Sequence, residues 1–127
     1  MPSNKQSILV IGGAGYIGSH VVLALCEKDY DVTVFDNLST GHQINVDKRA
    51  RLIRGDILQS DDLKRVFSKS YVAVFHFAAL KAAGESMQEP GKYATANITG
   101  TINILNQMVE SGVQYIVFSS TAAVYGM

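Results

Sequence analysis

The sequence predicts an α/β fold built on a doubly wound parallel sheet, truncated after its fifth strand. Three observations predict it. Short strand-like runs alternate with helical patterns along the whole chain. Those runs are apolar nearly throughout rather than alternating, as strands covered on both faces are. The first run ends in a glycine-rich turn that opens a helix. The length of 127 residues suits one domain with its own core and leaves little room for a second.

The elements follow in order. Ser7 to Ile11 is a short β-branched run, a buried strand, ending at Gly12-Gly13-Ala14-Gly15. Beyond that turn Ile17, Val21 and Leu25 recur at helical spacing, with Ala24 on the same face, so a helix runs to about Lys28. Asp31 to Asp36 is the second strand and Arg51 to Arg54 the third, which ends at Gly55-Asp56. The stretch from Asn37 to Ala50 is either a loop or a short helix. Ser60 supplies a capping hydroxyl for the next helix, and Asp61 and Asp62 place acids in its first turn, where the helix dipole favours them. Leu63, Val66 and Phe67 form its apolar face. Tyr71 to Ala79 reads as the fourth strand. Pro90 starts a long helix whose buried stripe is expected at Ile98, Ile102, Leu105 and Val109, with a stop near Gly112. Gln114 to Ser120 is the fifth strand. Right-handed crossovers give the order 3-2-1-4-5.

Composition narrows the function. Eleven basic and eleven acidic side chains cancel, which disfavours a nucleic-acid surface or a polybasic membrane anchor. Hydrophobic residues at 47% and charged residues at 17% are the proportions of a packed globule. One cysteine excludes an internal disulfide and a cysteine-based zinc site. No apolar run is long enough to span a bilayer, and the start lacks the apolar stretch and cleavage site of a secretory leader, so a cytoplasmic protein is expected. Cys26 reads as a packing residue, and His76 as a core histidine. His20 and His42 share no metal-binding spacing, so no metal site is expected. Asp47, Lys48, Arg49 and Arg51 read as a solvated patch.

The glycine turn carries the chemistry. Gly12, Gly15 and Gly18 stand in a G-x-x-G-x-x-G spacing, and Gly13, Gly15 and Gly18 also satisfy G-x-G-x-x-G. The turn sits between a strand and a helix, with Asp36 about 20 residues on, the context a dinucleotide-binding Rossmann unit requires. Absent Cβ atoms let a pyrophosphate approach the main chain, and the helix N-terminus offers unpaired N–H groups to it. Asp36 can accept from both hydroxyls of the adenosine ribose and would repel a 2′-phosphate. Asn37 and Leu38 supply no arginine to offset that, so the expected cofactor is NAD rather than NADP.

These residues carry a family resemblance. GGAGYIGSH at 12–20, DNLSTG at 36–41, GDI at 55–57, HFAALKAAGES at 76–86, Asn97 with ITGT after it, and FSSTAAVYG at 118–126 resemble the N-terminal half of the UDP-glucose 4-epimerases. These belong to the extended short-chain dehydrogenase/reductases. The resemblance implies that Tyr16 and Ile17 lie at the pyrophosphate beside Gly12, Gly15 and Gly18. It implies that Asp36, Asn37 and Ser39 contact the adenosine ribose and neighbouring phosphate, and that Asp56 and Ile57 hold the adenine. Phe77, Ala78, Ala79 and Lys81 would line the wall beside the nicotinamide ribose and pyrophosphate. Asn97 would back the pocket, Ser119 would lie near the nicotinamide, and Thr121 matches the catalytic Ser/Thr that bonds the reacting sugar hydroxyl. Lys81 read without the family is an ordinary surface lysine, and Thr121 a strand-end hydroxyl. Two departures stand out: Ile11 where threonine is usual, and Ala79 where glycine is common.

The family reaction is transient oxidation at C4 of a UDP-sugar, hydride passing to NAD⁺ and returning to the other face of the 4-keto intermediate. Its base is the tyrosine of a Y-x-x-x-K pair. Tyr16, Tyr30, Tyr71, Tyr93, Tyr115 and Tyr125 have no lysine four residues on. The 127-residue chain is therefore expected to be the cofactor half of a parent epimerase, incomplete and inactive by itself. Two alternatives stay open: a related NAD-dependent sugar-nucleotide epimerase or dehydratase, and a non-catalytic NAD-binding module. An uncovered apolar fifth strand is expected to drive dimers or self-association.

Overall fold

The computed structural model describes residues 5–38, 42–77 and 90–118, the side chains of 90–96 excepted. Five parallel strands form one sheet: β1 Ser7–Ile11, β2 Asp31–Asp36, β3 Arg51–Arg54, β4 Ala73–His76 and β5 Tyr115–Phe118. Their order is β3-β2-β1-β4-β5, as the alternation predicts. β1 is central, pairing Ile8 with Val32 of β2 on one side and with Ala73 of β4 on the other. Among the described residues the α-helices are α1 Tyr16–Glu27, α2 Ser60–Val66 and α3 Pro90–Ser111. A short 3-10 helix at Gln43–Asn45 resolves the open reading of the 42–50 stretch. Strands β4 and β5 occupy only the middle of their expected runs, and residues 78–79 and 119–120 lie outside the described residues.

Side chains alternate along β1 to build two cores. Leu9 and Ile11 join Phe35, Leu63, Val66, Val74, Ile104 and Met108 on the face covered by α2 and α3. Ile8 and Val10 join Val22, Cys26, Val32 and Val34 on the face covered by α1. Both faces of β1 are thus dry, the reason its sequence carries no polar alternation.

Two helices are rotated relative to their apolar spacing. In α1 the buried residues are Gly18, Val22 and Cys26, not the Ile17, Val21, Leu25 set. The cause is Gly18: a Cβ there would lie 2.3 Å from the Gly12 carbonyl oxygen, so the helix rests on the turn at that point. Residues four and eight further on then face the sheet. In α3 the stripe expected to be buried is outward: Ile98, Ile102, Leu105 and Val109 are 40–83% exposed. Gly100, Ile104 and Met108 face inward instead. Gly100 again sets the rotation, with a virtual Cβ 2.3 Å from the Ile57 Cδ1. A third correction concerns α2. Gln59, not Ser60, holds the N-cap position, and no side chain caps the helix. Ser60 is already the first helical residue, so its hydroxyl does not stand before the free N–H groups.

Among the described residues no helix is long and apolar enough to cross a membrane, and no three His, Cys, Asp or Glu side chains are grouped to hold a metal ion. Cys26 is buried, and burial pushes its thiol up. Asp47 and Arg49 pair through two hydrogen bonds of 2.9 and 2.8 Å. The guanidinium holds the Asp47 carboxyl down to about 2. His76 is buried with its Nε2 3.2 Å from the Thr101 hydroxyl, and burial pushes it down to about 4, so the imidazole is neutral at pH 7.

Candidate functional site

Parallel strands deliver their carboxyl ends to one edge of the sheet, and four chain segments meet there. The order reverses at β1, where the chain builds outward first through β2 and β3 and then through β4 and β5. Such a reversal opens a crevice beyond the strand ends.

The first segment is the glycine turn after β1. Gly12 has φ +83°, a left-handed conformation that glycine adopts without strain, and its N–H donates to the Phe35 carbonyl at 2.8 Å. Gly15 is the N-cap of α1, with no side-chain cap and no acid in the first turn. The helix therefore begins with its partial positive charge uncompensated by side chains. Gly15 differs from Gly18 in a telling way. Among the described residues its virtual Cβ meets only the Gly12 oxygen, at an ordinary 3.6 Å. The packing of the described residues does not require glycine there.

The second segment is the end of β2. Asp36 is 9% exposed, and its two oxygens are both in use. Oδ2 accepts from the Ala14 N–H at 2.9 Å, and Oδ1 accepts from the Leu38 N–H at 2.7 Å. Leu38 takes φ +63° to make the second bond. The carboxylate thus ties the glycine turn to β2 and keeps further lone pairs for hydroxyl donors. The motif spacing gave no sign of the Ala14 contact, because a backbone N–H leaves no mark in a sequence. Asn37 is exposed beside Asp36.

The third segment follows β3. The Asp56 N–H donates to Asp62 Oδ2 at 3.1 Å, and Asp56 Oδ1 accepts from the Leu58 N–H at 2.9 Å. Ile57 is half-buried against the α2–α3 core, and its carbonyl accepts from Asn103 Nδ2 at 3.0 Å. The fourth segment follows β4, where the Phe77 N–H donates to the Ile11 carbonyl at 2.7 Å. Phe77 lies on the α1 side, its ring 6.3 Å from that of Phe75.

The remaining expected site residues divide cleanly. Tyr16 is 81% exposed on the first turn of α1, its ring edge-on to His20 at 4.8 Å, and Ile17 is exposed beside it. Asn97 is half-buried on α3. Ser39, Ala78, Ala79, Lys81, Ser119 and Thr121 lie outside the described residues. Gly100 and Asn103 escaped the sequence reading. The available signal was a glycine inside a helical pattern, which costs stability and so marks a close contact.

Known proteins agree with this geometry. The chain is 50% identical over 122 residues to a UDP-glucose 4-epimerase of Lacticaseibacillus casei, covering 95% of this chain and 37% of that protein. It is 48% identical to one from Streptococcus mutans, with 96% and 38% covered. Among solved structures, one UDP-glucose 4-epimerase superposes with a TM-score of 0.90 at 43% identity, covering 96% of this chain and 37% of that chain. The Brucella ovis UDP-glucose 4-epimerase, crystallised with NAD, gives 0.87 at 42% identity, with 96% and 38% covered. The chain thus spans little more than a third of the length of these relatives. The NAD dependent epimerase/dehydratase family matches residues 8–127, which is nearly the whole chain, and this protein belongs to it.

Proposed function

We propose that this chain is the NAD-binding part of a UDP-glucose/UDP-galactose 4-epimerase of the cytoplasm. The observation that carries the reading is Gly15, a glycine that the packing of the described residues does not require, at an uncapped helix N-terminus. A pyrophosphate fits that cradle, because its charge meets the free N–H groups and no Cβ intervenes. The Brucella ovis relative bound to NAD and the Thermotoga maritima relative bound to UDP-glucose support the ligand classes.

Each residue then has a task. Gly12, Gly15, Tyr16, Ile17 and Gly18 hold the pyrophosphate. Asp36, with Asn37 and Ser39, takes the adenosine ribose. Asp56 and Ile57 take the adenine. Phe77, Ala78, Ala79 and Lys81 wall the nicotinamide side, with Asn97 behind and Ser119 near the ring. Thr121 bonds the sugar's reacting hydroxyl and orients it. NAD⁺, when bound, accepts and returns the hydride of the transient C4 oxidation.

The test is thermal. A ligand that binds only the folded state stabilises it, by about 2.7 kcal/mol at a hundredfold excess over Kd. NAD⁺ is expected to raise the melting temperature of the chain by several degrees. No shift at millimolar NAD⁺ would end the proposal.

The proposal extends to self-association through β5. That strand pairs only with β4 among the described residues, and Tyr115, Val117 and Phe118 are exposed on it. An apolar strand edge offers unpaired N–H and C=O groups to a second copy. Light scattering is expected to give a mass above the monomer that falls when Val117 is replaced by lysine. A monomer at high concentration would refute it.

A further inference from the structure

The loop assigned to the adenine is gripped from one side by α3. Gly100 and Asn103 lie three residues apart and so share a helix face. Gly100 brings the helix against Ile57 so closely that a Cβ would stand 2.3 Å from Cδ1 and 2.8 Å from Cγ1. One turn on, Asn103 Nδ2 donates to the Ile57 carbonyl at 3.0 Å.

That carbonyl and the Leu58 N–H belong to one rigid peptide plane. The Leu58 N–H in turn donates to Asp56 Oδ1 at 2.9 Å. A line of hydrogen bonds therefore runs from the Asn103 amide, through a single peptide unit, to one oxygen of the Asp56 carboxylate. The other oxygen, Oδ2, has no hydrogen-bond partner among the described residues. It is held in place and left open to a donor.

We propose that Asn103 and Gly100 are positioning residues that set the preference for adenine, by fixing the 57–58 peptide and through it the free Asp56 oxygen. The inference rests on the proposed assignment of adenine to Asp56 and Ile57. An amino group at C6 of the base donates to a carboxylate. The oxo group of hypoxanthine accepts and is repelled. A well-aimed Oδ2 therefore separates the two bases, and a loosely held one separates them less.

The experiment measures dissociation constants of NAD⁺ and of nicotinamide hypoxanthine dinucleotide for the 127-residue chain and its variants. The readout is their ratio. Partial unfolding reduces both apparent affinities by the same factor and leaves the ratio unmoved, so a merely structural role gives no signal. Asn103→Leu and Asn103→Asp, both close in size and both without the donor, are expected to reduce the preference for NAD⁺ by about fivefold, the effect of one ordinary hydrogen bond. Gly100→Ala is expected to do the same by pushing Ile57 aside. With Ile57→Ala in the background, where only an ordinary contact to Cβ remains, Gly100→Ala is expected to add nothing. Asp56→Ala separates the two levels of the argument. If the unaltered chain shows no preference, or Asp56→Ala leaves it intact, the adenine assignment falls and this inference falls with it. If Asp56→Ala abolishes the preference while the Asn103 and Gly100 variants keep it, the inference alone is overturned.

Discussion

Gly18→Ala is expected to lower the melting temperature by roughly 4–12 °C, the equivalent of about 1–3 kcal/mol of overpacking at this chain length. Helix propensity pushes the other way, since alanine is favoured over glycine inside a helix by about 1 kcal/mol. The contact decides between them. The new methyl would stand 2.3 Å from the Gly12 oxygen and 2.9 Å from the Gly13 Cα, both backbone atoms. The turn cannot yield easily, because Gly12 holds its left-handed conformation and its N–H is bonded to Phe35 across to β2. Either α1 lifts off the sheet, opening the Val22–Cys26 core, or the turn deforms. A melting temperature equal to or above the parent's, measured by circular dichroism, would show that α1 is not seated on the turn.

Gly15→Ser makes the contrast. Gly15 has φ −77° and ψ 177°, a backbone any residue adopts, and among the described residues its Cβ would make only an ordinary contact, 3.6 Å to the Gly12 oxygen. Serine is also a better N-cap than glycine. The substitution is expected to leave melting unchanged or slightly raised. It should remove most of the shift produced by NAD⁺, because the hydroxyl occupies the N–H groups that the phosphate needs. Stability and binding thus separate at two glycines three residues apart.

The second large effect is at Asp36. Asp36→Ala is expected to weaken NAD⁺ on the order of tenfold to a hundredfold, the range for lost hydrogen bonds to a charged acceptor. NADP⁺ should lose little, since the carboxylate that repels its 2′-phosphate is gone, so the preference for NAD⁺ shrinks. The same change leaves the Ala14 N–H without its partner, at a cost of about 1–3 kcal/mol for a buried donor. Binding must therefore be compared at a temperature where the variant is folded. Titration of both cofactors against the variant checks the result, and an unchanged ratio would refute the ribose assignment.

The sheet was legible before any coordinates. Strand order, the strand positions and the crevice at the carboxyl ends follow from apolar runs separated by helices, because a strand buried on both faces has little choice of residue. The turn was legible because Gly12 and its neighbours mark a bend and Asp36 lies at the right distance. Helix orientation was not. Ile98, Ile102, Leu105 and Val109 form the most obvious apolar stripe on α3, and they face outward.

What the sequence determined by itself was therefore the order of elements, the parallel sheet and the place of the glycine turn between β1 and α1, each set by local pattern and chain connectivity. What only the tertiary structure decided was the rotation of α1 and α3 and the hydrogen-bonded aim of Asp36 and Asp56. The physical reason is the same in each case. Hydropathy reports side chains, whereas Gly18 and Gly100 act by having none, and Ala14, Leu58 and the Ile57 carbonyl act through backbone groups that every residue carries.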